Sequence, residues 1–161
     1  MMMKEEKAKL PFIVDKRGNI QLKSARTLSL SFIIPAHRGI KFWEGIREGK
    51  LLTTKCKKCH KIYFPPKMDC PDCMISGMDW IQLSGDAQLE SFTEILVKPA
   101  NFSKYPDYIC AVGKLKEGPS VLAWLTGIKR EDAKVGMKLK LKPKVVEEEE
   151  RLTYEFIPGE R

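Results

Sequence analysis

The chain predicts a mainly β protein: one short helix, a cysteine ribbon, and then a small all-β unit of five strands. Three observations carry this expectation. Four cysteines fall in two tight pairs, Cys56-Lys57-Lys58-Cys59 and Cys70-Pro71-Asp72-Cys73. The one stretch with helical spacing, Ile40 to Gly49, runs directly into them. From Ser84 onward, apolar and polar residues alternate in short runs broken by Gly and Pro, the pattern of half-buried strands.

In chain order, residues 1–37 form an N-terminal extension. Residues 1–9 read as a charged tail. Pro11-Phe12-Ile13-Val14, a turn through Asp15-Lys16-Arg17-Gly18-Asn19, and Ile20-Gln21-Leu22 predict a small hairpin. Leu28 to Ile34 alternates like a strand that ends at Pro35. Residues 38–83 hold the helix and the ribbon. Ile40, Trp43 and Ile46 or Arg47 recur at helical spacing, and Gly49 can close the helix. Phe42 falls off that line, so the apolar face is wide. Its aromatics either enter the core or form an exposed ridge for a ligand or partner.

Each Cys-x-x-Cys turn presents two sulfurs on one side of a knuckle, so Cys56, Cys59, Cys70 and Cys73 can close a tetrahedron about one metal ion. Leu51 to Lys55 leads in as a strand, Ile62 to Pro66 returns between the pairs, and Trp80 to Leu83 exits as a strand. Zinc is favoured. Iron is the competitor, because rubredoxin-type sites share this geometry, but those sites place Gly just after each second cysteine. Here His60 and Met74 stand there. Four protein thiolates leave no open position for substrate, so the metal is expected to be structural. The fifth cysteine, Cys110, reads as a small buried hydrophobe in a strand.

Residues 84–161 supply strands at Gln88–Ile95, Tyr108–Leu115, Val121–Ile128, Met137–Lys142 and Leu152–Ile157. Val145-Val146 can extend the fourth beyond Pro143. Glu131 to Gly136 offers at most one helical turn, and the Glu147–Glu150 run reads as a solvated turn. Five short strands in so small a unit suggest a partly open barrel of the OB type, or a small sandwich.

The formal charge is +8, which invites nucleic acid as a partner. The excess lies in the N-terminal third, whereas residues 84–161 carry as many acids as bases. No apolar run approaches the roughly 20 residues of a membrane-spanning helix. No apolar segment follows Met1-Met2-Met3-Lys4, so a cytoplasmic location is expected. Enzymatic chemistry is poorly supplied: two histidines, no phosphate-binding glycine motif and no nucleophile elbow.

The line Phe42-Trp43-Glu44-Gly45-Ile46-Arg47-Glu48-Gly49, Phe64-Pro65-Pro66, Cys70-Pro71-Asp72-Cys73, then Ser84-Gly85 and Ser91-Phe92-Thr93, resembles the acyl-CoA-associated zinc-ribbon and OB-fold family, long catalogued as domain of unknown function thirty-five. The resemblance covers about residues 38–161. It implies a rubredoxin-like zinc ribbon followed by an OB-fold barrel, and a non-enzymatic role beside thiolases or hydroxymethylglutaryl-CoA synthase, as in the archaeal mevalonate route. Other members partner dehydratases of steroid side-chain breakdown. It also implies that the helix and barrel help to hold CoA or an acyl-CoA. Arg38, Lys41 and Arg47, beside Phe42 and Trp43, offer cations for phosphates and aromatic surface for adenine or pantetheine. The alternative is a single-stranded nucleic-acid-binding protein built on the same two modules.

Overall fold

The computed structural model describes residues 12–22 and 36–159. The chain divides into two units, Met1–Pro35 and Ala36–Arg161. In the first, β1 (Phe12–Val14) pairs antiparallel with β2 (Ile20–Leu22). The Asp15 carboxylate shapes their turn by accepting from the N–H groups of Arg17 and Asn19, at 2.8 and 2.9 Å. This is the expected hairpin. The expected tail and the strand at Leu28–Ile34 lie outside the described residues.

The second unit begins with a 3-10 turn at His37–Gly39 that leads into α1 (Ile40–Arg47). The helix closes at Gly49, which takes φ +76°, a conformation that costs glycine little. The inward face is Phe42, Gly45 and Ile46, one residue off the expected Ile40–Trp43 line. Phe42 enters the core at 4% exposure, while Ile40 and Trp43 remain about two-fifths exposed, at 44% and 40%. The reason is aromatic packing: the Phe42 ring meets Phe64 and Tyr154 edge-on, with centroids 5.8 and 6.5 Å away.

The ribbon is a three-stranded sheet with β3 (Leu52–Cys56) at the centre, flanked by β4 (Ile62–Tyr63) and β5 (Met78–Gln82). Buried Thr53 donates its hydroxyl to the Tyr63 carbonyl. Thr54 donates to the Lys67 carbonyl at 2.8 Å and accepts from the Lys67 N–H at 2.9 Å. These contacts hold the Phe64-Pro65-Pro66 segment against the sheet.

Strands β6 (Asp86–Ile95), β7 (Tyr108–Leu115), β8 (Ser120–Leu125), β9 (Lys138–Val146) and β10 (Arg151–Pro158) close into a barrel of order β10-β8-β7-β6-β9. The first three form a meander. β9 returns to the other edge of β6, and β10 runs antiparallel to β9. Closure comes from a short parallel pairing of β10 with β8, Glu155 to Trp124 and Phe156 to Leu125. The barrel is therefore closed rather than partly open, and the sandwich alternative falls away. Inside it, Leu89, Leu115, Leu139, Leu141 and Phe156 are almost fully buried. Their cluster is continuous with Phe42, Ile46, Leu51 and Leu83 from the helix and ribbon edges. Fully burying side chains of this size is worth about 2–3 kcal/mol each, so helix and barrel are joined by apolar packing. Cys110 is not in this core: strand alternation sends Ile109 and Ala111 inward and leaves Cys110 half-buried on the outer face.

Candidate metal centre and helix surface

Two copies of one local turn bring the four cysteines together. In the first, the His60 N–H donates to the Cys56 carbonyl at 3.0 Å, and the Cys56 N–H donates to the Lys61 carbonyl at 2.9 Å. In the second, Met74 N–H donates to the Cys70 carbonyl at 2.8 Å and Cys70 N–H to the Ile75 carbonyl at 2.9 Å. His60 and Met74 accordingly take left-handed backbone, φ 59° and 54°. These are the positions where the sequence lacks the rubredoxin-type glycines. The glycine-like bend forms without them.

The four sulfurs all lie within 4.8 Å of one another. A tetrahedral zinc with Zn–S bonds of about 2.3 Å has S–S edges of about 3.8 Å; the Cys59 and Cys70 sulfurs are 3.7 Å apart. The donor set and its size thus fit a zinc ion. Around Cys56 Sγ, the N–H groups of Lys58 and Cys59 point in at 3.4 and 3.5 Å. The buried Tyr63 hydroxyl lies 3.3 Å from Cys70 Sγ. By donating to that sulfur it holds the Cys70 thiol well below its ordinary range, at about 6. Outside, Lys61 pairs with Asp72 at 2.6 Å and Lys57 with Asp79 at 3.3 Å, so two of the knuckle lysines are balanced by carboxylates.

The helix is fixed to this centre and to the barrel. Arg38 grips Asp69, one residue before Cys70, through two bonds of 2.9 Å, and reaches the Met68 carbonyl at 3.3 Å. That bidentate pair lies on the protein surface and docks the start of α1 onto the second knuckle. Gly45 lets the helix approach the ribbon: a Cβ there would sit 2.9 Å from Leu52 Cγ and 3.2 Å from the Lys50 carbonyl oxygen. Of the five residues expected to meet a ligand, Phe42 is therefore core packing and Arg38 is engaged with Asp69. Lys41, Trp43 and Arg47 remain exposed on the helix, and the Trp43 ring stands edge-on to Phe42 at 4.9 Å.

One cluster escaped the sequence reading. Tyr105, Tyr108 and Trp124 converge on the outer barrel face beside Cys110. The signal was present in the strand alternation, which makes Tyr108, Cys110 and Trp124 outward positions, but the loop that adds Tyr105 has no period to read.

These features meet a consistent set of relatives. Residues 43–78 match the family described as "ChsH2, rubredoxin-like zinc ribbon domain", and residues 80–142 match "ChsH2, C-terminal OB-fold domain". A "DUF35 domain-containing scaffold protein" of Pyrococcus furiosus is 32% identical over 109 residues, 67% of this chain and 79% of that one. One of the same description from Methanocaldococcus jannaschii is 27% identical over 114 residues, 70% of this chain and 81% of that one. Among solved structures, a chain described as "Ltp2-ChsH2(DUF35) aldolase" superposes with a TM-score of 0.64 at 24% identity, over 74% of this chain and 92% of that one; this is a likeness of fold. Ribbon, barrel and relatives together place the chain in the family of DUF35 domain-containing scaffold proteins.

Proposed function

We propose that the chain is a non-catalytic scaffold subunit that holds an acyl-CoA for a thiolase-type or hydroxymethylglutaryl-CoA synthase-type partner, with a structural zinc held by Cys56, Cys59, Cys70 and Cys73. The observation that carries the reading is the state of α1. It is anchored to the ribbon through Arg38 and to the barrel through Phe42, yet it presents Trp43 beside Lys41 and Arg47. Neither of those two cations has a carboxylate partner among the described residues. An aromatic face flanked by free cations on a rigid element suits a phosphorylated ligand with apolar parts. The scaffold names of the relatives, and the joining of a DUF35 chain with Ltp2 in the name of the similar structure, support a partner enzyme.

When bound, zinc neutralises the thiolates and cross-links the two knuckles. With all four positions taken by sulfur it leaves none for substrate. Nucleic-acid binding draws on the +8 charge. On the lysine-rich strand β9, however, Lys140 and Lys144 already pair with Asp86 and Glu155, at 2.7 and 2.6 Å.

Co-purification from the native source with mass spectrometry, alongside acyl-CoA calorimetry, tests the scaffold reading. A thiolase-type partner, and acyl-CoA binding weakened roughly tenfold by Trp43→Ala, are expected. No such partner and no acyl-CoA binding would overturn it. For the metal, Cys56→Ser is expected to lose zinc and melt at lower temperature; an unchanged melt with metal retained would remove Cys56 from the ligand set.

A further inference from the structure

Residues 84–161 carry as many acidic as basic residues, but the strands sort them unevenly. On β9, Lys138, Lys140 and Lys142 alternate with buried Leu139 and Leu141, so these lysines leave the barrel on its outer face. The strand register carries that face onward. Lys138 is paired with Gln88 on β6, and Gln88 with Lys114 on β7. One row along, Lys140 is paired with Asp86, whose carbonyl accepts from the Lys116 N–H at 2.9 Å. Directly paired residues point the same way, and neighbouring strands lie about 4.8 Å apart. The Asp86 carboxyl is held below the ordinary carboxylate range by Lys140, and Lys116 adds to the effect, which puts the Lys116 ammonium on the same side. Lys114, Lys116, Lys138, Lys140 and Lys142 therefore share one patch of the outer wall.

Two acids meet this patch. Asp86 takes Lys140 at 2.7 Å, and Glu155 at its margin takes Lys144 at 2.6 Å. Lys114, Lys116, Lys138 and Lys142 have no carboxylate partner among the described residues. A hollow of about 580 Å³ opens between Lys138, Lys140, Lys142 and residues 157–159. The make-up of the patch selects what it meets. It has no arginine to grip a phosphate with two bonds and no ring on which a base could stack. Its apolar part is Ile157 and Pro158, both half-buried, too little to enter a lipid surface. Separate ammonium groups on flexible stems match separate carboxylates on another surface. We infer that this face of β6, β7 and β9 docks an acidic surface of a protein partner, with one projecting carboxylate seated in the hollow. The inference rests on the scaffold reading for there being a partner, and it gives that partner a contact chemistry and a place on the barrel wall.

Biolayer interferometry of the intact protein with poly-L-glutamate tests the surface. Binding is expected, and it should fall steeply as salt rises from about 50 to 300 mM. Lys114→Glu, Lys138→Glu and Lys142→Glu, combined, are expected to weaken it roughly tenfold or more. All three side chains are exposed, and a melting curve checks the fold. A control triple, Lys58→Glu with Lys129→Glu and Lys134→Glu, changes the formal charge equally at other exposed lysines and is expected to keep most of the binding. The inference is overturned if poly-L-glutamate does not bind, if the two triple variants lose binding equally, or if a thymine oligonucleotide or phosphatidylserine vesicles bind more tightly than poly-L-glutamate. For the partner enzyme recovered in the native pull-down, the first triple variant is expected to lower the association rate roughly tenfold with dissociation little changed. An unchanged association rate overturns this docking face and leaves the scaffold reading standing. A pull-down without a partner overturns the scaffold reading, while the poly-L-glutamate result still decides whether the face binds carboxylates.

Discussion

At Gly113, on β7, a single Cβ would lie 2.6 Å from Phe156 Cζ and 2.9 Å from Cε1. Phe156 is fully buried and cannot swing aside. Gly113→Ala should therefore destabilise the protein by about 1–3 kcal/mol, the usual cost of overpacking. Phe156→Leu added to it should recover part of the loss, and urea unfolding of the two variants measures both. The sequence marks Gly113 only as a glycine inside an apolar strand, because its ring-sized neighbour lies far along the chain. Phe42 has the same history. Its spacing set it apart from Ile40 and Trp43, and only the positions of Phe64 and Tyr154 explain why it, and not Trp43, turns inward. The cysteines were legible for the opposite reason: their spacing encodes the knuckle locally, and the two bends at His60 and Met74 close through bonds within five residues.

Strand identities were legible because alternation survives wherever one face is buried; β7 spans Tyr108–Leu115, the very residues that alternate. One strand end was legible too: β9 runs through Pro143 to Val146, the expected extension, and it can do so because its pairing with β6 stops at Lys140 and the proline then sits on a strand with one open edge. The acidic run after it is the expected turn, and Glu147, Glu148 and Glu150 are exposed. Glu149 departs from it: its side chain is only 17% exposed and accepts from Lys104 at 2.7 Å and Arg151 at 2.9 Å, tying the β6–β7 loop to the start of β10. Those hydrogen bonds hold its carboxyl below the ordinary carboxylate range. A lowered folded-state pKa means that the contribution is complete above the unfolded value, about 4.3, and is lost as pH falls through the folded one. Glu149→Gln should thus be less stable than the parent at neutral pH, with the gap closing below about pH 4. Thermal melts across pH 2–7 check the trend, and a gap that persists at the acid end would contradict it.

Over the whole second unit, stabilising contacts are unevenly shared. Among the described residues, the barrel, α1 and the ribbon edges pool fifteen buried residues in one core, whereas the knuckles bury Cys56, Tyr63 and Cys70, with Cys73, Ile75 and Met78 partly buried against them. So small a cluster cannot offset the entropy of ordering its loops. With zinc stripped by a strong chelator, hydrogen exchange is expected to accelerate across residues 52–78 while β6 to β10 stay protected. Uniform loss of protection would show that metal and barrel unfold together. The division into helix, ribbon and barrel was legible because each segment carries its own period or motif. Barrel closure was not, since it depends on the two-residue contact of β10 with β8. That contact also imposes an order on synthesis. A chain still emerging from the ribosome can make the β6–β8 meander and add β9, but the place of Phe156 against Gly113 stays open to water. Until residue 156 has emerged, the barrel remains an unsealed sheet with its largest core side chain missing.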